Sequence, residues 1–135
     1  MIDHISLSVS DLAKSTVFYK AVLSSIGFET LAERAGTVGF GKTYPEFWLN
    51  HRPKPATQPA QEPTKVEADS GMHIALRTKG RKSVERFYHT ALQAGATSDG
   101  APGFRSQYSE SYYAAFIRDP EGNRIEIVTF ISAND

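Results

Sequence analysis

The chain has 135 residues, and its 15 lysines and arginines balance 15 aspartates and glutamates, so its formal net charge is zero. This balance disfavours a nucleic-acid partner, because such proteins usually carry a basic excess that neutralises phosphates. The absence of cysteine excludes disulfides and thiolate metal ligands. No apolar run approaches the roughly 20 residues of a membrane span, and no leader peptide is recognised. We therefore expect one cytoplasmic domain over residues 1–135 that binds a small molecule.

The first half of the chain is predicted to form a strand, a helix and three further strands. Apolar and polar residues alternate in the first strand, where the apolar ones are Ile5, Leu7 and Val9. The helix that follows carries its apolar residues on one face: Phe18, Tyr19, Val22, Leu23 and Ile26. Three short strands are then predicted over 29–34, 37–41 and 46–50. This unit, module 1, covers about residues 1–51.

The second half of the chain repeats the first at one constant shift. His4-Ile5-Ser6-Leu7 aligns with His73-Ile74-Ala75-Leu76. With the same shift and no gap, Phe18-Tyr19 aligns with Phe87-Tyr88. Such a repeat predicts that the second half folds into the same order of elements as the first.

Module 2 is accordingly predicted over about residues 69–131. Its strands are predicted over 72–76, 96–99, 112–118 and 123–130, and its helix has an apolar face of Val84, Phe87, Tyr88, Ala91 and Leu92. The sequence Asp119-Pro120-Glu121-Gly122-Asn123 is typical of a tight turn between the last two strands. Residues 52–68 hold four of the seven prolines and show no periodicity, which predicts an extended linker.

Three polar residues are predicted to share the sheet face that no helix covers. The apolar residues of each strand must pack under the helix, so residues of the opposite parity face away from it. His4, His73 and Glu126 have that parity. Two imidazoles and a carboxylate suit a divalent ion with open coordination positions. The alternatives are satisfied core residues or a hydrogen-bonded His–Glu pair without metal.

These features resemble the vicinal oxygen chelate superfamily, which includes glyoxalase I, fosfomycin-resistance thiol transferases, methylmalonyl-CoA epimerase, extradiol dioxygenases and bleomycin-binding proteins. The resemblance rests on two tandem βαβββ modules, a histidine near the start of each, and the segment from Asp119 to Glu126. It implies an α+β fold whose modules form a curved, cup-like mixed sheet with helices on the outside. It also implies that His4, His73 and Glu126 hold iron, manganese, nickel or zinc.

The sequence departs from part of this superfamily at one ligand position. Glyoxalase I takes a fourth ligand from the last strand of the first module, where this chain has Trp48 at the position equivalent to Glu126. Because tryptophan cannot bind a metal, the pattern is more similar to the fosfomycin transferases or the extradiol dioxygenases. Trp48 then lines a substrate pocket or simply fills space.

Substrate contacts are predicted on the helix-free face and in the long segment 100–113. The predicted residues are Trp48, Arg77, Arg105, Tyr108, Tyr112 and Arg124. Guanidinium groups suit paired contact with a carboxylate or a phosphate, so Arg77 and Arg124 can meet an anionic substrate. The alternative for both is an ion pair on the surface or in a dimer interface.

Two functions fit these residues. The first is a metalloenzyme with Glu126 as a catalytic metal ligand, acting on a small oxygen-chelating substrate as a lyase or isomerase, a thiol transferase or a dioxygenase. The second is a metal-free binding protein of the bleomycin-resistance type, which the retention of three ligand residues disfavours. The resemblance also implies a homodimer. If its modules are swapped, His4 of one chain joins His73 and Glu126 of the other.

Overall fold

The described residues, 1–54 and 71–135 of a computed structural model, form two βαβββ units. The first unit consists of β1 (Ile5–Val9), α1 (Leu12–Ser24), β2 (Glu29–Arg34), β3 (Thr37–Gly41) and β4 (Pro45–His51). The second consists of β5 (His73–Arg77), α2 (Arg81–Gln93), β6 (Thr97–Phe104), β7 (Tyr112–Arg118) and β8 (Arg124–Phe130). The predicted α+β class and the repeat are thus confirmed. Most of the predicted linker, residues 55–68, lies outside the described residues.

The eight strands are divided between two four-stranded mixed sheets. Their strand orders are β1-β4-β3-β2 and β5-β8-β7-β6. In each sheet the first strand of the unit runs parallel to the last, and the other pairs are antiparallel. The registers correspond as well, since Ser6 lies opposite Trp48 and Ala75 lies opposite Glu126. Trp48 and Glu126 therefore occupy equivalent positions, as their parity predicts.

One hydrophobic core joins the helix-covered sides of the two units. It contains strand residues of both sheets, such as Leu49 and Ile125, and helix residues such as Phe18 and Phe87. The two helices also contact each other. The opposite face of each sheet is free of helices, and the predicted site residues lie on these faces or in segments next to them. Within the described ranges, neither helix is long and apolar enough to span a membrane.

The tight turn between β7 and β8 forms hydrogen bonds that connect the second unit to α1 of the first unit. The buried carboxylate of Asp119 accepts a hydrogen bond of 2.5 Å from the hydroxyl of Tyr19. The carboxylate of Glu121 accepts hydrogen bonds from the backbone amides of Ser10 (2.7 Å) and Asp11 (2.8 Å), where α1 begins. Burial raises the pKa of Tyr19 well above its usual range, and Asp119 adds to the shift, so the hydroxyl remains a donor.

Strand β6 is longer than the predicted strand over 96–99. It continues to Phe104, with register shifts between Ser98 and Gly100 and between Gly100 and Gly103. A Cβ at Gly100 would lie 3.0 Å from Cδ2 of Phe116 on the neighbouring strand, so a larger residue would crowd that ring. These bulges interrupt the alternation on which a strand prediction depends, which explains the difference.

Candidate metal and substrate site

His73 and Glu126 meet on the helix-free face of the second sheet. Nε2 of His73, at the start of β5, lies 2.9 Å from Oε2 of Glu126 in β8. The glutamate side chain is only 4% exposed, whereas the histidine side chain is 42% exposed. The hydroxyl of Tyr112 donates a hydrogen bond to the other oxygen, Oε1 of Glu126. Burial raises the pKa of Tyr112 to about 12, with help from this bond, so the tyrosine donates at neutral pH.

The surroundings of the carboxylate are largely apolar. Ala114, Phe116 and Val128 form a small buried cluster on this face, against which Tyr112 packs. The ring of Phe116 also lies beside the imidazole of His73, at a centroid separation of 6.1 Å. A carboxylate in such surroundings needs polar partners. His73 and Tyr112 supply them and direct one oxygen of Glu126 toward the imidazole.

An aromatic row borders this face. The ring of Tyr112 lies 5.0 Å from that of Tyr108 and 5.3 Å from that of Phe130, measured between centroids. The structure thus brings two predicted substrate residues, Tyr108 and Tyr112, to one edge of the face. Phe116 and Phe130 belong to the same surroundings and were missed by the sequence analysis. Phe130 could have been predicted, because it has the same parity as Glu126 in β8 and therefore faces the same side of the sheet.

The predicted arginines lie on or beside the same face but have different partners. Nε of Arg124 lies 3.0 Å from Oδ2 of Asp99, so this arginine forms an ion pair, one of its two predicted alternatives. Nη2 of Arg105 donates a hydrogen bond of 2.7 Å to the backbone carbonyl of Ala101. Both guanidinium groups also lie over the ring of Phe116. Arg77 lies over a phenylalanine ring of β8 at 4.8 Å.

His4 does not join His73 and Glu126 within one chain. Its Nδ1 lies 2.6 Å from Oδ1 of Asp3, and its side chain is 55% exposed. In the part of the chain that the structure describes, no three His, Cys, Asp or Glu side chains come together as metal ligands. His4 and His73 nevertheless line one cleft of about 630 Å³, together with Glu46. Two of the three predicted ligands are therefore paired, and the third is separate.

Trp48 lies on the corresponding face of the first sheet. It lines a shallow pocket of about 410 Å³ with His4, Asn50 and Arg34. The guanidinium of Arg34 lies 6.0 Å from the indole. Gly39, opposite Trp48 in β3, leaves room for the ring, since a Cβ there would lie 2.7 Å from Cζ3 of the indole. Trp48 is thus held apart from the His73–Glu126 pair within one chain.

Gly39→Ala is expected to displace the indole and to lower the free energy of unfolding by about 1–3 kcal/mol through overpacking. Because Trp48 is the single tryptophan, its fluorescence reports the displacement directly. Chemical denaturation followed by far-ultraviolet circular dichroism measures the loss of stability in every variant, including the one that lacks the tryptophan. In the double variant with Trp48→Phe, the smaller ring should recover part of the lost stability. Equal losses in the single and double variants would contradict the close packing of these two residues.

The family follows from a match along nearly the whole chain. The sequence profile of the Glyoxalase/Bleomycin resistance protein/Dioxygenase superfamily matches residues 1–127. The chain belongs to this superfamily. The resemblance inferred from the repeated histidines and the terminal Asp119–Glu126 segment is thereby confirmed.

The chain is similar to several known proteins over almost its whole length. Metallothiol transferase FosB of Shouchella clausii (strain KSM-K16) is 30% identical over 128 residues, which are 95% of this chain and 79% of that protein. A glyoxalase/bleomycin resistance protein from Albidiferax ferrireducens T118 has a TM-score of 0.73 and 24% identity, covering 93% of this chain and 95% of that one. A virulence protein from Salmonella typhimurium has a TM-score of 0.65 and 25% identity, covering 97% of both chains.

Proposed function

We propose that this protein is a metal-dependent transferase that joins a thiol to a small, anionic, oxygen-bearing electrophile. The observation that carries the proposal is the His73–Glu126 pair, in which an imidazole and a buried carboxylate converge on a helix-free face. The similarity to a metallothiol transferase supports thiol transfer over the other reactions of the superfamily. A cytoplasmic location belongs to the same proposal and rests on the absence of cysteine.

The donor atoms of the pair suit a divalent ion. Ligand atoms at 2.0–2.2 Å from one ion and at right angles to each other are about 3 Å apart. Nε2 of His73 and Oε2 of Glu126 are separated by 2.9 Å, so both can bind the same ion with little movement. Nitrogen and carboxylate ligands fit iron, manganese, nickel and zinc alike. The donor set therefore supports a metal without selecting one.

The third ligand is proposed to be His4 from a second copy of the chain. His4 is exposed and immediately precedes β1 of the other sheet. Its Nδ1 contacts Asp3, so its Nε2 would complete a site in a neighbouring molecule. A homodimer with exchanged modules brings the helix-free face of one chain's first sheet to that of the other chain's second sheet. Trp48 would then form the wall that faces His73 and Glu126.

A bound divalent ion supplies Lewis acidity that stabilises negative charge on a substrate oxygen. The chain's own residues have three further roles in the proposal. Tyr112 fixes the direction of the Glu126 carboxylate, the buried cluster around Phe116 shields that carboxylate from water, and Arg77 attracts the anionic group of the substrate. In the transfer, the thiol releases its proton to solvent and its sulfur forms a bond to the electrophilic carbon. The carbon–oxygen bond breaks, and the released oxygen takes a proton from solvent, so the product has the summed mass of both reactants.

The proposal is tested by metal analysis and by a search for the adduct. Purified protein is expected to contain a divalent metal. Because the chain resembles the fosfomycin-resistance thiol transferases, mass spectrometry should detect an adduct with the summed mass of a thiol and fosfomycin. Glu126→Gln should abolish adduct formation, whereas Glu29→Gln, on an exposed position of β2, should not. Metal binding without an adduct from any thiol would contradict thiol transfer.

A metal-free binding protein is the second candidate. It is favoured by one observation, since His73 and Glu126 already satisfy each other and no third ligand side chain joins them within the described part of one chain. Such a protein would contain no metal after purification. It would also show no rise in melting temperature with added Fe(II), Mn(II), Ni(II) or Zn(II).

A further inference from the structure

A second cleft lies between the two units and is lined mainly by cationic and hydroxyl side chains. Its volume is about 710 Å³, within the range of small-molecule sites. Lys42 contributes from the first unit, just after β3. The cations of the second unit are Arg77, Lys79, Lys82 and Arg86. We call it the basic cleft, because none of its lining residues in the described part of the chain is an aspartate or a glutamate.

The described residues offer the cations of the basic cleft no carboxylate partner. Among residues 1–54 and 71–135, no carboxylate oxygen lies within 4.0 Å of any of its five cationic groups. The chain as a whole has a net charge of zero, so this is a local concentration of positive charge on a neutral protein. Like charges gathered around a concave surface repel one another and raise the local concentration of anions.

The start of α2 adds to the same field. Lys82 and Ser83 belong to the first turn of this 13-residue helix and line the cleft. That turn has no acidic residue, and Gly80 provides no side-chain cap for its amides. The positive end of a helix normally favours nearby anions and disfavours cations. Lysine at this end is therefore unfavourable in the free protein and becomes favourable when an anion is bound.

We propose that the basic cleft binds a small molecule carrying a diphosphate group. Five cations from two units match a multiply charged anion better than a single carboxylate, and the cleft's size suits a small molecule. Phe28, Leu76 and Arg77 line both this cleft and the cleft that contains His4 and His73. The remainder of such a ligand can thus extend toward the candidate metal site. The proposal does not depend on the metal or on thiol transfer.

Inorganic pyrophosphate is the probe, measured by calorimetry on full-length protein stripped of metal ions with a chelating resin. Lys42→Gln combined with Lys82→Gln removes one cation from each unit. The matched control, Lys14→Gln with Lys54→Gln, lowers the net charge equally at exposed positions outside the cleft. Because hydrogen bonds to charged groups are the strong ones, the cleft pair should weaken pyrophosphate binding by about tenfold or more. The control pair should bind like the wild type.

Three outcomes decide the proposal. Selective weakening in the cleft pair, with unchanged melting temperatures in both pairs, supports it. Equal weakening in both pairs would overturn it, because diffuse attraction to net charge would then explain the binding. Absence of binding to the wild type would overturn it as well. His73→Ala should bind pyrophosphate normally, so failure of the metal site and failure of the basic cleft are distinguishable.

Discussion

Replacing His73 with alanine should lower the affinity for Mn(II) or Zn(II) by more than about a hundredfold. Loss of a residue that only supports a metal ligand typically costs 10–100-fold in affinity, and loss of a ligand should exceed that. The fold should survive, because the imidazole is 42% exposed and Tyr112 still donates to Glu126. Competitive titration with a metal-sensitive dye measures the affinity, and thermal melting of the metal-free protein checks the fold.

His89→Ala is the matched control for this prediction. His89 is exposed on α2, where its ring contacts that of Tyr88 and lines none of the clefts described above. His89→Ala removes one histidine, as His73→Ala does, but it should leave the affinity for metal unchanged. If His73→Ala also bound metal like the wild type, the His73–Glu126 pair would be a structural hydrogen bond, and the binding-protein alternative would be favoured.

The fold was predictable because strand and helix periodicities are strong and occur twice. The alternation around Ile5 and Ile74 fixes which side of each first strand is apolar, and the repeated histidines fix the register between the halves. The strand predicted over 112–118 likewise matches β7. The prediction is incomplete for β6, where Gly100 and Gly103 accompany register shifts, so that residues 100–104 are predicted as loop.

The candidate site was predictable only in part. Parity placed His73 and Glu126 on one face, because it depends on neighbouring positions within single strands. Parity does not show which side chains meet across neighbouring strands. It therefore could not decide whether Arg124 contacts a substrate or forms an ion pair, as it does with Asp99. The position of His4 depends on how two whole modules pack, which no local pattern encodes. This explains why the sequence predicts three metal ligands, whereas only two of them, His73 and Glu126, meet in the described part of a single chain.

Mixing two variants that cannot bind metal should restore binding if modules are exchanged between chains. His4→Ala and His73→Ala each remove one ligand from every site of their own homodimers. In an exchanged dimer, each site takes His4 from one chain and His73 with Glu126 from the other. A dimer containing one chain of each variant therefore has one complete site, while its second site lacks both histidines.

The size of the recovery follows from random reassociation. Half of the dimers are then mixed and each has one intact site, so about a quarter of all sites should bind metal after the variants are refolded together. Elemental analysis of the dimer fraction measures this directly. The control mixture is His73→Ala with Glu126→Gln. Both residues lie in the second unit, so every site in that mixture lacks a ligand and no recovery is expected. If wild-type protein binds metal but neither mixture regains metal binding, all three ligands come from one chain. The two units must then change their packing to bring His4 to the His73–Glu126 pair.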